Sequence, residues 1–459
     1  MEIDLPKYES LLKANAELKA LVEQLLARIS TLEKQLGKSS INSSKPPSTD
    51  VFTKKVQNNR EKSTLKTGGQ TGHLGKTLAF ATLAEVTKIE ACKVLGACSC
   101  GLDMATNGSV LGYERRQVWD LPELKPYIVE YQVEKKTCSC GKTHTALCEV
   151  SHSIQYGAKV KALCCYLQNE QFIPIERSQS MLSDIFGFET LSASVVLESS
   201  QICYEALASW ETKTIADLKQ AAVLHVDETG MRVNGKREWG HVCSSDSLTL
   251  YQHHQKRGKE AHQARGILAE FSGVLVHDRY SSYSSYLCSH SLCNAHLMRE
   301  LKSLIEDSQR WAIDMYSLVN EAYKGLHSAF SLQNAYQKIL DVGFEDNPLP
   351  IVEKLEKKKG KPPKTPSINL LECFRDKKDQ IVRFVFEEDV PFDNNQAERD
   401  IRMFKLKEKI SNGFRTEIGA KTFCRIRSYI STCKKQKQNV WSALCYIFEN
   451  QQTIKCSCE

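Results

Sequence analysis

Two short apolar runs, "AVLHVD" and "GVLVHD", each end in an aspartate, Asp227 and Asp278, and this pair constrains the chain more than any other feature. An ionised carboxylate is costly to desolvate unless it is paired or holds a cation. Asp227 therefore lies at a strand's wet end or does chemistry. Between the two runs, "MRVNGKREWGHV" reads as a hairpin turning on Asn234-Gly235, a strong type I′ signal. "LTLYQH" follows as a third strand and "EAHQARGILAEF" as a helix.

Three antiparallel strands, a helix, then a strand returning alongside the first is the order of a ribonuclease-H-like domain. If first and fourth strands are neighbours, Asp227 and Asp278 project side by side, and two carboxylates that close repel unless divalent cations sit between them. Hard oxygen ligands select Mg²⁺ or Mn²⁺. Consecutive strand residues face opposite sides, so Glu228 cannot share the site of Asp227. A third carboxylate is expected from "PFDNNQAERDIRMFKLKEKISNGFRT", where Asn394 or Asn395 caps a helix whose first turns carry Glu398, Arg399 and Arg402. Glu398 would point to the metals, with Arg402 and Lys405 on the same side for phosphate. Taken alone, Glu398 would read as an ordinary salt bridge to Arg402.

At 459 residues the chain exceeds what one core usually supports, so two to four modules are expected. Apolar residues at 41% and charged residues at 25% fit a soluble globular protein. No apolar run approaches the ~20 residues of a membrane helix. "MEIDLPKYES" has neither a basic start nor an apolar h-region, which makes a reducing cytoplasm the expected compartment. The 18 cysteines then read as mostly free thiols plus a metal site. The net charge of +7 is unevenly spread: residues 399–437 hold twelve Lys or Arg against three acids. Six more basics lie between Lys54 and Lys76, and six lysines between Lys354 and Lys364. Three basic runs flanking the acidic segments point to nucleic acid as partner.

Along the chain, Tyr8, Asn15, Val22, Ile29 and Leu36 repeat every seven residues, as do Leu11, Leu18, Leu25 and Leu32, offset by three. These are a and d positions of a coiled coil over 1–37, and Asn15 at an a position favours a parallel dimer. A Ser/Pro/Gly-rich, basic linker is expected over 38–85; its "GHLGKT" is no phosphate loop, because Gln70 stands where the earlier glycine is required. Over 86–152, "ACSCG" and "TCSCG" form two glycine-turn knuckles, flanking strand-like alternation in "YERRQVWDLPELKPYIVEYQVEKK". Cys98, Cys100, Cys138 and Cys140 could supply the four thiolates of a structural Zn²⁺, although C-x-C is tighter than the usual gap. Residues 153–215 outline a helix-turn-helix, with a break at Gly187 and Ser192 capping a helix from Ala193; a plain helical bundle fits equally well. The ribonuclease-H-like domain is expected over 216–440 and a tail over 441–459. The fold class is thus multidomain α+β.

"HVDETGMRVNGKREWGHV", "VHDRYSSY", "CNAHLMREL", "PPKTPSINLL" and "DNNQAERDIRMFKLKEKISNGFR" together resemble the transposases of the insertion sequence 66 family. The N-terminal heptads, "NSSKPPSTD", "GGQTGHLGKTL", the knuckles and "YERRQVWDLPE" also match that layout, so the resemblance covers nearly the whole chain. It implies a DDE catalytic domain with Asp227, Asp278 and Glu398 as the acidic triad and a mostly helical insertion over about 293–389. The departure is at the knuckles, where many relatives have C-x-x-C. The implied activity is cleavage and transfer of DNA strands with two Mg²⁺ or Mn²⁺ ions, with Arg399, Arg402 and Lys405 on the phosphate backbone. DNA (element ends and target), a second copy of the chain and accessory proteins of the same element are the implied partners. A nuclease of the same fold would cut without joining, and a DNA-binding regulator would do neither. "CNAH" sets Cys293 and His296 at Cys-x-x-His spacing, two ligands where a closed metal site needs four.

Overall fold

The computed structural model describes residues 5–37, 77–148, 150, 152–348 and 364–455. The basic arm expected up to residue 76 and most of the lysine run before Lys364 lie outside the described residues. The chain divides into two compact units, one of residues 1–56, 129–184 and 188–459, the other of residues 57–128 and 185–187.

In the smaller unit the described residues 77–128 form neither helix nor strand. Gln117 binds both backbone groups of Ala81, accepting its N–H at 2.7 Å and donating to its carbonyl at 3.1 Å. The knuckle closes where the N–H groups of Cys98 and Gly101 bond the carbonyls of Leu102 and Cys98, each at 2.8 Å, with Gly101 at φ +88°. A side chain there would be strained.

The larger unit opens with α1 (Leu5–Gly37), on which Leu18, Val22, Leu25, Ile29 and Leu32 are exposed. A hairpin of β1 (Lys135–Thr137) and β2 (Thr143–Thr145) carries the second knuckle, with the same two bonds at 2.8 Å and Gly141 at φ +86°. The alternation over 113–136 is a strand only at Lys135 and Lys136; Val118 and Ile128 are exposed. Period-2 patterning without a hydrogen-bonded neighbour does not make a strand. The first knuckle falls in the smaller unit and the second in the larger.

Helices α2 (Ala158–Asn169), α3 (Ile175–Phe186), α4 (Ala193–Ala206) and α5 (Ala208–Lys219) follow. Gly187 ends α3 at φ +75°, and Ser192 precedes α4 as expected, though its hydroxyl bonds Ser194 rather than the backbone. The exposed charges of α3 and α4 are Glu176, Asp184, Glu198 and Glu205 against Arg177 alone.

Next come β3 (Val223–Val233), β4 (Lys236–Ser244), β5 (Thr249–His254), α6 (Lys259–Arg265), β6 (Val274–His277) and β7 (Ser289–Leu292). The sheet order is β5-β4-β3-β6-β7, with the first three antiparallel and the last two parallel to β3. Asn234 and Gly235 both take positive φ, +48° and +72°, as a type I′ turn requires.

Helices α7 (Asn294–Glu306), α8 (Arg310–Tyr323), α9 (Ala329–Asp346), α10 (Pro366–Asp376) and α11 (Lys378–Phe386) form the expected helical insertion. Their own core centres on Trp311, Tyr336, Leu371 and Phe374. Then α12 (Asn395–Ser411) and α13 (Glu417–Lys435) return to the sheet. The stretch expected as a tail is instead α14 (Val440–Lys455), whose Leu444, Cys445 and Phe448 share a core with Cys165 of α2, Cys203 of α4 and Ile430 of α13.

Strand alternation sorts β3 between two cores. Leu224 and Val226 join Leu250, Ile267, Leu275 and Tyr283 on one face; Met231 and Val233 join Tyr251, Ile401, Phe404 and Phe423 on the other. Gly240 lets α12 settle on that second face, since a Cβ there would stand 2.8 Å from the Phe404 ring. Gly240→Val should cost about 2 kcal/mol by overpacking and lift α12 from the sheet. Denaturant melts of the full chain read the first effect.

Candidate active site

His225 pairs in register with Val276, and Asp227 and Asp278 each lie two residues beyond that pair. They therefore extend the same row of the parallel β3–β6 pair, on the face covered by α12. Asp227 sits opposite Val242 of β4, itself in the α12-side core. Its Oδ1 accepts the N–H of Glu228 at 2.8 Å, and Oδ1 of Asp278 accepts the N–H of Tyr280 at 2.8 Å. These bonds fix both carboxylates without neutralising them.

Glu398 is carried in the first turn of α12. Burial pushes the Asp227 carboxyl well above the usual range, and the charges of Glu228, Asp278 and Glu398 push it further. Burial likewise raises Glu398, with Arg299 and Arg402 pulling it down and Asp393 and Asp278 pushing it up. Three acids from three separate elements thus feel one another. Oε1 of Glu398 is buried and makes no hydrogen bond among the described residues. Carboxylate oxygens that repel one another suit hard divalent cations such as Mg²⁺ or Mn²⁺.

Glu228 lies on the opposite face, as alternation demands. Its carboxylate takes the Tyr283 hydroxyl and, at 2.9 and 2.8 Å, Nε and Nη2 of Arg257. Arg257 in turn stacks between Trp239 and Tyr280, at 5.1 and 4.1 Å from their ring centroids. Burial leads the causes that raise Glu228. The Glu228 carboxylate is thus engaged by Arg257 and Tyr283.

Asn394 is what sets α12 beside Asp227. Its Nδ2 donates to the Val226 carbonyl at 2.8 Å, its Oδ1 accepts from His225 Nδ1 at 2.9 Å, and its N–H donates to Cys293 Sγ at 3.2 Å. The expected cap is therefore the N-cap residue by position, but its side chain ties helix to strand instead of capping. Burial lowers the pKa of His225, and since an amide oxygen can only accept, the bond to Asn394 sets a proton on Nδ1. On the far side, Cys293 precedes α7 and His296 stands in its first turn, with His296 Nδ1 at 3.9 Å from Glu398 Oε1. Burial lifts the Cys293 thiol to about 12 and lowers His296 to about 4.

A protein-family model described as Transposase IS66 family matches residues 153–422, more than half the chain and all the segments just described. The chain belongs to the IS66 transposase family. A second model, for a family of unknown function, matches residues 4–79. Comparison with the curated proteins gives no match.

The structure divides the basic residues expected on phosphate in this IS66-family chain. Arg402 is exposed and close enough to Glu398 to lower its pKa. Lys405 is committed elsewhere: Nζ donates to the Gly230 carbonyl at 2.5 Å and pairs with Glu408 at 3.0 Å. Arg399 lines a separate groove of about 410 Å³ with Asp246, Gln396, Asp400, Lys434 and Lys435. Of the three, only Arg402 belongs with the acids. Much of the basic run after it also holds helices together, since Arg425 pairs with Glu211, Arg427 and Lys434 with Glu170, and Lys435 with Asp400.

Each cysteine knuckle activates one thiol. The backbone N–H of Cys100 is the largest influence lowering Cys98, and that of Cys140 does the same for Cys138. Among the described residues, the group of metal-capable side chains that does converge is Cys293, His296 and Glu398, with ligand atoms all within 4.8 Å of one another. No helix among the described residues is long and apolar enough to cross a membrane.

Proposed function

We propose that this chain is a DNA transposase with a ribonuclease-H-like catalytic domain, cutting at the ends of its element and joining the freed strand to target DNA. The charges of Asp278 and Glu398, borne at the end of β6 and on α12, act on Asp227 of β3, and that coupling carries the reading; family membership supports it. When bound, two Mg²⁺ or Mn²⁺ ions would supply Lewis-acid charge to the attacking and leaving oxygens. The three carboxylates hold that charge in place, and Asp227, destabilised while alone, gains most from it. Arg402 faces the phosphate beside Glu398 and stabilises its developing negative charge. In cleavage, water attacks the phosphorus and the 3′ oxygen leaves with a proton. In transfer, that 3′-hydroxyl attacks a target phosphodiester, forming one P–O bond as another breaks, so no covalent protein intermediate is needed.

The exposed heptad positions of α1 support dimerisation through residues 8–36, which would bring two active sites to two element ends. Nucleoid association, with help from proteins of the same element, completes the reading. The rival is a DNA-binding regulator in which the acids are structural. Strand cleavage and transfer, assayed with Mg²⁺ on DNA carrying the element's own ends, should vanish in Asp227→Ala, Asp278→Ala and Glu398→Ala while DNA binding persists. Cleavage unaffected by all three changes would overturn the proposal.

A further inference from the structure

We propose that Cys293, His296 and Glu398 form a site for a thiophilic divalent cation such as Zn²⁺, distinct in its donors from the all-oxygen triad of Asp227, Asp278 and Glu398 and sharing the Glu398 carboxylate with it. The sharing rests on the reading of Glu398 as the third acid; the cation site itself rests on the side chains alone.

The three ligand atoms lie within 4.8 Å of one another, and His296 Nδ1 is 3.9 Å from Glu398 Oε1. In a tetrahedral zinc site such atoms stand roughly 3.5 Å apart, so closing the set needs side-chain movements on the order of 1 Å. Both His296 Nδ1 and Glu398 Oε1 are buried atoms that make no hydrogen bond among the described residues. Buried polar atoms ordinarily have a partner; here two orphans face each other across 3.9 Å, with a sulfur beside them. A proton between them would need a shorter gap, whereas a metal ion spans it.

The surroundings are built to hold these ligands. Cys293 is 2% exposed, and its sulfur accepts the N–H of Asn394. Asn294 locks the same turn: its N–H bonds the Phe392 carbonyl at 3.1 Å and its Nδ2 the Ile381 carbonyl at 2.9 Å. Such outer bonds orient first ligands and tune a metal. The donor set of thiolate, imidazole and carboxylate selects Zn²⁺, Co²⁺ or Fe²⁺ over Mg²⁺. Three protein ligands leave a fourth position for water. On binding, the Cys293 S–H bond gives way to a sulfur–metal bond, and the proton leaves to solvent. Glu398, once engaged here, is drawn away from Asp227 and Asp278, so the site would restrain the acidic triad.

The test is Co²⁺ titration of the full chain in which Cys98, Cys100, Cys138 and Cys140 are all changed to Ser, following the sulfur-to-cobalt charge-transfer absorption. No DNA is present, so failure of the transposase reading leaves this result untouched, and the reverse holds. A band is expected that Cys293→Ser abolishes and that His296→Gln and Glu398→Gln each weaken at least about tenfold in affinity. Asp227→Asn should keep it. Circular dichroism checks the fold of Cys293→Ser, and His296→Gln changes a partly exposed residue should that variant fail. Absence of the band, or a band indifferent to both Cys293→Ser and His296→Gln, overturns the proposal.

Discussion

Asp227→Asn should abolish strand cleavage and at the same time make the metal-free protein more stable. The first effect follows from the metal chemistry proposed for the triad, which contributes several kcal/mol to the transition state; at 1.36 kcal/mol per factor of ten, the loss is about 10³-fold or more. The second follows from the raised pKa. Burial and the charges of Glu228, Asp278 and Glu398 all disfavour the ionised form. A carboxyl raised in this way contributes stability that is complete below its unfolded pKa, near 4, and is lost as pH rises through its folded pKa. As pH rises above about 4 the wild type progressively loses that contribution, whereas the amide never carried it. The gain for Asn is about 2–4 kcal/mol, the scale of like-charge repulsion over about 4–8 Å at an effective dielectric constant near 20. Saturating Mg²⁺ should reverse the ranking: at a thousand times its Kd a bound ion adds about 4.1 kcal/mol to the wild type and less to the variant. Melting curves across pH, with and without Mg²⁺, check each part. A variant less stable than wild type at pH 7 in the absence of Mg²⁺ would mean that Asp227 is a structural acid.

The elements legible in the sequence are those whose determinants are local. The hairpin at Asn234-Gly235, the run into Asp227 and the opposite facing of Glu228 are set by turn chemistry and a period of two, and the structure has them as expected. The helical insertion and the break at Gly187 were equally readable. What was not readable depends on distant partners. β7 is only "SHSL", too short and polar to announce itself, and becomes a strand because β6 offers a free edge. α14 looked like a tail because its partners, on α2, α4 and α13, lie far away in sequence. Lys405 sits on the helix where phosphate binding was expected, yet it binds the Gly230 carbonyl, 175 residues distant. Conversely, the alternation over 113–134 was a local signal that no neighbouring strand completed.

The largest expected effect away from the triad is at Asn394, a residue the sequence suggested only as a cap. Asn394→Ala leaves the Val226 carbonyl and His225 Nδ1 without their partner, and both belong to residues buried beside Asp227. With each buried unsatisfied group costing about 1–3 kcal/mol, the variant should lose about 2–6 kcal/mol. Glu398 is one turn further along, its N–H bonded to the Asn394 carbonyl at 3.1 Å, so releasing the side chain frees the start of α12 to shift. A displacement of about 1 Å at a catalytic group costs about 10²-fold in rate. A merely structural residue would lower the amount of folded protein and leave the folded fraction fully active. Positioning predicts something else: activity per folded molecule falls about 100-fold and the Mg²⁺ concentration for half-maximal cleavage rises, with DNA affinity little changed. Asn394→Asp sharpens the distinction, because it keeps the shape but sets a carboxylate oxygen against the Val226 carbonyl where a donor stood. Asp should therefore be no better than Ala in half-maximal Mg²⁺, and normal Mg²⁺ dependence in Asp would show that volume, rather than the bond from helix to strand, places Glu398.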